Sequence, residues 1–286
     1  MKTIHDHVAA ARERLQSAGL PRNEADLDAR LLAEFALNWT AERFLVDARS
    51  APPAGFDARF ESVIARRASR EPFAYIVGYQ QFWGLRFDVT PAVLIPRPET
   101  ELIVEAALET VESSPGSARI ADVGTGSGCL AIAIARERAR AAIVATDVSD
   151  AAIAVARDNA VRHGVSSRVS FCHADLLDGL AGPFDLVVSN PPYVRNVDRA
   201  DIQPEVRREP PTALFAGDDG LEVIRRLVAQ STDRLRPGGT LIFEFGFGQS
   251  DAVAELISAA PSLTMVELRR DLQNIPRVAI ARRLND

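Results

Sequence analysis

A short apolar run that two prolines interrupt is the feature that most constrains this chain. Residues 184–189, Phe-Asp-Leu-Val-Val-Ser, have the apolar, β-branched character of a buried strand in a parallel sheet. Pro191 and Pro192 follow, and because proline has no N–H to donate to a neighbouring strand, the strand must end at Asn190. Ligands bind at the carboxyl ends of strands in open α/β sheets. The sequence therefore predicts that residues 190–193 lie at the rim of a cleft.

Residues 190–193, Asn-Pro-Pro-Tyr, offer groups that suit a planar amino group. Its two N–H bonds can be accepted by the Asn190 side-chain oxygen and the Pro191 carbonyl, and the ring of Tyr193 can stack on its plane. The motif resembles that of methyltransferases that act on planar nitrogens, either the side-chain amide of glutamine or the exocyclic amines of adenine and cytosine. A strand that ends in prolines without any functional role could have the same sequence, so the motif alone does not establish a methyltransferase site and the rest of the chain must be considered.

Composition indicates an ordinary globular protein. The chain has 286 residues, of which 47% are hydrophobic and 25% charged, enough for one large or two modest domains. The absence of a membrane-length apolar run and of a signal-peptide core at the N-terminus predicts a cytoplasmic protein without membrane contact. The two cysteines, Cys129 and Cys172, and the four scattered histidines support neither a metal site nor a disulfide framework.

The charge distribution disfavours direct binding to nucleic acid. Lysine and arginine number 33 against 39 aspartates and glutamates, a net charge of −6. The chain is acidic and has no stripe of basic residues, whereas neutralising phosphates supplies most of the affinity for duplex DNA.

The N-terminal part predicts a helical bundle over residues 1–70. Apolar residues recur at helical spacing in three stretches, and these short amphipathic helices can bury their faces only against one another. Thr40 is a candidate helix cap. The apolar residues of the three stretches are Ile4, Val8, Ala11 and Leu15; Leu27, Leu31, Leu32 and Phe35; and Phe56, Phe60, Val63 and Ile64.

The next residues predict an extended link between two domains. The apolar residues change from helical spacing to alternation at Phe73, Tyr75 and Val77. Residues 73–89 are therefore predicted to form a β-hairpin within a linker over residues 71–92. Prolines then hold residues 94–101 extended. Arg97 and Glu99 in this segment are either a surface turn or part of a lid, and Thr100 with Glu101 can begin a helix over residues 102–111.

A strand, a glycine-rich turn and a helix follow one another at residues 119–136. The turn is Gly124-Thr125-Gly126-Ser127-Gly128, in which glycines let the backbone approach a nucleotide closely. Its spacing departs from the dinucleotide fingerprint, because Cys129 stands where the last glycine would be. The next strand, residues 142–146, ends at Asp147, a position from which a carboxylate reaches ribose hydroxyls.

A third strand, residues 168–171, precedes Asp175 and Leu176, which predict the adenine site. The carboxylate can accept from the adenine amino group, and the aliphatic side chain can cover the ring. For Asp147 and Asp175 the alternative is an ordinary helix cap. Helices and strands continue to alternate, so residues 93–286 predict a doubly wound sheet with a final antiparallel hairpin. The remaining elements are helices from residue 220 and over 250–260, a turn at 236–239, and strands over 240–245, 263–268 and 277–281.

Several motifs together resemble one family. The chain is similar to the PrmC (HemK) family of S-adenosylmethionine-dependent protein-glutamine methyltransferases, which modify the Gly-Gly-Gln glutamine of class-1 peptide chain release factors. The resemblance spans nearly the whole chain. It rests on Glu71-Pro-Phe-Ala-Tyr-Ile-Val-Gly78, Phe82-Trp-Gly-Leu-Arg-Phe87, Ile95-Pro-Arg-Pro-Glu-Thr-Glu101, Asp122-Val-Gly-Thr-Gly-Ser-Gly128, Ser189-Asn-Pro-Pro-Tyr193 and Phe215-Ala-Gly-Asp-Asp-Gly-Leu221.

The resemblance implies a class I S-adenosylmethionine-dependent methyltransferase of the α/β class, with a Rossmann-like seven-stranded sheet. Residues 1–70 would recognise the substrate, 71–92 would be the linker, and 93–286 the catalytic domain. Residues 124–128 would line the methionine moiety, Asp147 would bind the ribose and Leu176 would lie beside the adenine. Asn190, Pro191, Pro192 and Tyr193 would hold the substrate glutamine.

Other functions stay open from the residues alone. A nucleic-acid amino-methyltransferase would use the same Asn190 motif, and so would a methyltransferase of a ribosomal-protein glutamine. A cofactor-binding module without catalysis would not require the intact motif at 190–193. An NAD-dependent oxidoreductase is disfavoured by the glycine spacing.

Overall fold

The computed structural model describes residues 2–112 and 117–285, and the chain divides into two compact units. The helical unit comprises Met1–Gly78 with Gln203–Arg208. The second unit comprises Tyr79–Ile202 with Glu209–Asp286; it contains most of the domain expected to be catalytic, and we call it the catalytic unit. Met1, residues 113–116 and Asp286 belong to the predicted domain ranges but lie outside the described residues. The predicted linker is shared between the two units, and the three-part division of the chain stays a prediction.

The helical unit is built from helices that bury one face each. Thr3 and Thr40 cap the first and third, because their hydroxyl oxygens accept from the backbone N–H groups of Asp6 and Arg43. The helical pattern predicted for residues 1–70 is confirmed over most of its length. The helices are α1 Ile4–Ser17, α2 Arg22–Leu37, α3 Ala41–Asp47, α4 Phe56–Ala68 and α5 Phe73–Val77.

The buried face of α2 differs from the predicted apolar stripe. Leu32 is buried, but Leu27 and Phe35 are 48% and 44% exposed. The buried positions are mostly alanines, including Ala25 and Ala29, whose small side chains let α1 and α4 pack closely against this face. Side-chain size therefore decided the orientation of α2, and the stripe prediction was wrong at two of its four positions.

Residues 73–77 are helical, so the extended structure predicted for them is wrong. Pro72 precedes α5, and Gly78 ends it in the left-handed conformation with φ 83°. Residues 74–77 are all buried, so the apolar pattern carries no single-sided period from which to tell a helix from a strand. The hairpin is shorter than predicted and lies in the catalytic unit, with β1 at Tyr79–Phe82 and β2 at Leu85–Asp88.

A buried cluster of charges holds residues 203–208 within the helical unit. Arg67 is 1% exposed, and its guanidinium donates to Asp28 at 2.7 Å, Glu24 at 2.6 Å and Glu205 at 2.7 Å. Arg70 also donates to Glu205. We call Arg67, Asp28, Glu24 and Glu205 the charge cluster. It surrounds a buried cation with three carboxylates, two from α2 and one from residues 203–208, the arrangement that a buried charge requires.

The catalytic unit contains a mostly parallel sheet that confirms the predicted architecture. Its strands are β3 Arg119–Val123, β4 Ala142–Asp147, β5 Val169–His173, β6 Phe184–Ser189, β7 Leu235–Glu244, β8 Leu263–Arg270 and β9 Pro276–Arg283. Within the described residues the order is β5-β4-β3-β6-β7-β9-β8. The five strands β3 to β7 run parallel to one another. Strand β9 is antiparallel to both β7 and β8, as the expected final hairpin requires.

Helices flank this sheet and connect its strands. The predicted turn at residues 236–239 lies inside β7, where the pairing with β6 shifts register. The order of the strands reverses between β3 and β6, which creates a crevice at their carboxyl ends. No helix in the described part of the chain is both long and apolar enough to cross a bilayer. The helices of this unit are α6 Glu101–Glu112, α7 Cys129–Glu137, α8 Asp150–Arg162, α9 Glu222–Arg234 and α10 Ser250–Ser258.

Candidate active site

A cavity in the catalytic unit brings the predicted site residues together. It lies where β3, β4, β5 and β6 end, and the segments before α6 and before α9 complete its wall. Most of the predicted residues line it, whereas Gly128, Pro191 and Tyr193 do not. The lining residues are Ala92–Leu94, Pro96, Thr100, Gly124–Ser127, Cys129, Leu130, Asp147–Ser149, Ala152, Ala174–Leu176, Asn190, Pro192, Pro210, Thr212, Ala213, Val223 and Arg226.

The glycine-rich turn has an open face and a packed face. Gly126 has φ 55°, and a Cβ placed there would meet no atom within 4 Å, so the backbone is bare on the cavity side. At Gly128 a Cβ would lie 2.9 Å from Ile132 Cδ1 and 3.2 Å from Ala156 Cβ. Gly128 therefore lets α7 and α8 pack closely, and the ligand contact predicted for it stays a prediction.

Asp122 holds the turn against the start of α7. Its Oδ2 accepts from the Thr125 hydroxyl at 2.6 Å and from the Ala131 N–H at 3.1 Å, and the residue is fully buried. Burial raises the pKa of Asp122 to about 6, although both hydrogen bonds oppose the shift. Sequence reasoning treated Asp122 only as part of a motif, whereas the structure makes it the anchor of the turn.

Asp147 lies at the end of β4, beside the turn. Its Oδ2 accepts from the Gly126 N–H at 2.9 Å, and its Oδ1 accepts from the Ser149 N–H at 2.9 Å. Each carboxylate oxygen has a second lone pair, so Asp147 retains capacity to accept from a ligand hydroxyl. The expected ribose contact stays a prediction.

The predicted adenine end contains a residue that the sequence did not reveal. Asp175 accepts from Arg226 of α9 at 2.7 Å, and both residues line the cavity. Leu176 has φ 55° and is 9% exposed, and its carbonyl accepts from the buried Thr146 hydroxyl at 2.9 Å. The turn thus directs the side chain of Leu176 to the cavity wall. Nothing in the sequence marks Arg226 as the partner of Asp175, because the two lie 51 residues apart.

Asn190 follows β6 with its amide held in one direction. Its Nδ2 donates to the Thr100 hydroxyl at 3.0 Å, whereas its Oδ1 is buried and accepts no hydrogen bond from the described residues. A buried acceptor without a partner costs about 1–3 kcal/mol and indicates a ligand contact or a functional role. This unpartnered oxygen belongs to a residue that lines the cavity.

Tyr193 leads away from the cavity. Its ring packs against the apolar core and its hydroxyl donates to Glu244 at 2.9 Å. Burial raises the pKa of Tyr193, and the carboxylate of Glu244 adds to the shift. The predicted stacking on the substrate stays a prediction, and the observed role of the ring is in packing.

Comparison with known proteins identifies the family. The PrmC N-terminal domain family matches residues 6–78, and the methyltransferase small domain family matches residues 100–218. The release factor glutamine methyltransferase of Nitratidesulfovibrio vulgaris is 41% identical over 98% of this chain and 95% of its own length. That of Cereibacter sphaeroides is 42% identical over 97% of both chains.

The chain belongs to the release factor glutamine methyltransferase family. It is an enzyme, a methyltransferase that uses S-adenosylmethionine. The class I fold is also found in solved structures of low identity. The hMettl16 catalytic domain in complex with MAT2A 3′UTR hairpin 1 has a TM-score of 0.57 at 18% identity, covering 89% of this chain and 91% of that one. This likeness shows the fold alone.

Two residues of this methyltransferase were missed as parts of the site. Thr100 was read as a helix start, and Glu244 was included without comment in the strand over residues 240–245. Both are 2% exposed and they are hydrogen-bonded at 2.7 Å. A carboxylate inside a buried strand is the signal that would have found Glu244, since such residues are almost never fully buried without a partner.

The lid expected around Arg97 and Glu99 stays a prediction, but the structure shows how Arg97 is held. It pairs with Glu209, which is 2% exposed, and Glu209 also accepts from the Ile95 N–H at 3.0 Å. These contacts fix the segment before α6, which forms one wall of the cavity. The extended structure predicted for residues 94–101 is wrong at Pro98–Thr100, which form a 3₁₀ helix, and at Glu101, where α6 begins.

Proposed function

We propose that this methyltransferase transfers a methyl group to the side-chain amide nitrogen, N5, of the glutamine in the Gly-Gly-Gln motif of class-1 peptide chain release factors. The name shared by its relatives supports the acceptor. The observation that carries the chemistry is the buried Asn190 Oδ1, an acceptor without a partner in a residue that lines the cavity.

Asn190 and Pro191 supply the two acceptors that a primary amide needs. The Asn190 Oδ1 accepts one N–H of the substrate amide and the Pro191 carbonyl accepts the other. A substrate group with a single N–H, or with none, would leave one of these two oxygens without a hydrogen bond, at a cost of about 1–3 kcal/mol. Selection for a planar NH₂ group follows from this pair.

Placement is the main contribution that the enzyme makes. An amide nitrogen is a weak nucleophile because its lone pair is delocalised into the carbonyl. Orientation of the reacting groups is worth about 7 kcal/mol or more in favourable cases. The two acceptors also stabilise the positive charge that grows on the nitrogen as it takes the methyl group. The other products of the transfer would be S-adenosylhomocysteine, formed when the methyl–sulfur bond breaks, and the proton that the nitrogen loses.

The cavity residues fit S-adenosylmethionine, which when bound supplies an electrophilic methyl group on a positively charged sulfur. The bare backbone at Gly126 and the buried, unpartnered Ser127 Oγ suit the methionine moiety. Asp147 would accept from the ribose hydroxyls. Leu176 would cover the adenine, and Asp175 would accept from its amino group while Oδ2 remains paired with Arg226.

We infer that the partner is a protein in the cytoplasm. The net charge of −6 supports a protein acceptor over naked nucleic acid, for which basic surface would be needed. Substrate recognition by the helical unit belongs to this proposal, and so does the absence of membrane contact.

The test measures transfer of labelled methyl from S-adenosylmethionine to purified, unmethylated release factor. Release factor with its motif glutamine replaced by alanine and duplex DNA serve as parallel acceptors. We expect label on the unaltered factor alone. Label on DNA alone would overturn the proposed substrate, and equal label on the alanine variant would overturn the proposed acceptor atom.

A further inference from the structure

Four side chains form one line of hydrogen bonds behind the proposed acceptor atom. Asn190 Nδ2 donates to Thr100 Oγ1 at 3.0 Å, and the Thr100 hydroxyl donates to Glu244 Oε2 at 2.7 Å. The Tyr193 hydroxyl donates to Glu244 Oε1 at 2.9 Å. We call Asn190, Thr100, Glu244 and Tyr193 the amide-holding network.

The number of available protons sets the direction of each bond in the amide-holding network. The Thr100 and Tyr193 hydroxyls each have a single proton, and both donate it to Glu244. The Thr100 oxygen is then left as an acceptor, and only the NH₂ end of Asn190 can satisfy it. The Asn190 oxygen must therefore point the other way, and it is the buried atom without a partner.

We propose that Thr100 and Glu244 are positioning residues that set the amide orientation of Asn190, so that the enzyme presents an oxygen to the substrate amide. This inference rests on the proposed function, since it concerns the same acceptor site. With the Asn190 amide reversed, its NH₂ group would face the NH₂ group of the substrate, and two donors would oppose one another.

The burial of this network explains why its directions hold. Thr100 and Glu244 are both 2% exposed, so water does not compete for their hydrogen bonds. The residues come from the turn at Pro98–Thr100, the loop after β6 and the last residue of β7. Glu244 also anchors the loop at two points, because Asn190 reaches it through Thr100 and Tyr193 reaches it directly.

Two nearly isosteric variants break the network at different points. Thr100→Val removes the hydroxyl, which leaves the Asn190 amide free to reverse. Glu244→Gln puts an NH₂ group where an oxygen was, so one of the two hydroxyls must turn its proton away. For each we expect kcat to fall about 10²-fold, the typical cost of a misplaced reacting group. KM for the release factor and the affinity for S-adenosylmethionine should change less than about threefold.

The controls separate this role from general damage to the core. Thr100→Ser keeps the hydroxyl and should restore most of the activity lost in Thr100→Val. Thr240→Val makes the same chemical change at a buried position of β7 outside the network, and should leave kcat near the wild-type value. Calorimetric binding of S-adenosylmethionine reports whether each variant is folded.

A second readout does not depend on turnover. In protein labelled with ¹⁵N-asparagine, the side-chain NH₂ signal of Asn190, assigned by its loss in Asn190→Asp, should be protected from hydrogen exchange. Protection should vanish in Thr100→Val and persist in Thr100→Ser.

Failure of the two proposals would look different. An inactive wild type with the expected exchange pattern would sink the proposed acceptor while leaving the positioning role standing. Wild-type kcat in both Thr100→Val and Glu244→Gln would overturn the positioning role, as would an Asn190 signal with the same protection in all variants. A loss equally large in Thr100→Ser would do so too.

Discussion

The charge cluster of the helical unit and the amide-holding network of the catalytic unit are both buried and polar, but they are balanced differently. Arg67 is surrounded by three carboxylates, all within 2.7 Å. Glu244 has no basic group within 4.0 Å among the described residues and depends on two hydroxyls. Burial raises the pKa of Glu244, and Glu99 adds to the shift while Arg277 opposes it.

The difference separates stability from function. The charge cluster uses its donors on this chain's own carboxylates, so it contributes to holding the unit together. The amide-holding network leaves one buried oxygen, on Asn190, without a partner among the described residues, and the proposed function assigns this oxygen to the substrate amide. A folded protein tolerates a buried oxygen without a hydrogen bond where a ligand supplies the bond on binding. The free energy that this oxygen costs the free protein is then a cost of forming the binding site.

The largest expected effect comes from breaking the charge cluster. Arg67→Ala should lower the free energy of unfolding of the helical unit by about 3–5 kcal/mol, because Asp28 would remain buried without its cation. Urea unfolding measures this loss. The control is Arg14→Ala, whose exposed pair with Glu61 in the same unit should be worth only about 0–1 kcal/mol. Equal losses in the two variants would contradict the contrast.

Removing the unpartnered oxygen should affect turnover rather than stability. Asn190→Ala should lower kcat by about 10²–10³-fold, as removal of one preorganised group in an active site typically does. The affinity for S-adenosylmethionine should remain largely intact in calorimetry. A variant that methylates at the wild-type rate would exclude the proposed role of Asn190.

Asp122 is a buried carboxylate without a cation partner among the described residues, and its effect on the free energy of unfolding should depend on pH. With its pKa raised to about 6 from 3.8, the folded state binds the proton more tightly than the unfolded chain. The free energy of unfolding therefore falls as pH rises from about 4 to about 6, by up to about 3 kcal/mol from this group.

Asp122→Asn removes this contribution while an amide oxygen can still accept from Thr125 and Ala131. Urea unfolding of both proteins from pH 4 to pH 7 measures the effect. We expect the variant to gain stability relative to the wild type as pH rises through this range, and a constant difference would refute the assignment.

Asp147 should show the smallest effect. Asp147→Ala removes the acceptor of the Gly126 N–H and the proposed acceptor of the ribose hydroxyls. The affinity for S-adenosylmethionine should fall about tenfold, about the 1.4 kcal/mol of one modest hydrogen bond. Unchanged affinity by calorimetry would remove Asp147 from the cofactor site.

Much of the catalytic unit was predictable because its signals are local. Each strand of the parallel sheet is a short apolar run, and a glycine-rich turn or a pair of prolines marks where it ends. The positions of Gly126, Asp147 and Asn190 at the strand ends follow from chain order alone, since parallel strands bring their carboxyl ends to the same edge.

The errors arose where packing overrode a local pattern. Residues 73–77 were read as alternating, yet they form a helix in which residues 74–77 are all buried, so their apolar pattern did not distinguish a helix from a strand. Phe35 was expected in the core but lies exposed, since the alanine face of α2 permits closer approach of its neighbours.

The sequence by itself determined the strands of the sheet, the glycine-rich turn and the position of residues 190–193 at a strand end, since each is encoded in a few consecutive residues. Only the tertiary structure decided how Asn190 is oriented. Thr100 lies 90 residues before Asn190 and 144 before Glu244, and no local pattern links residues so far apart. The direction of the Asn190 amide follows from counting the protons that these three side chains share, and that count exists only once the fold has buried them together.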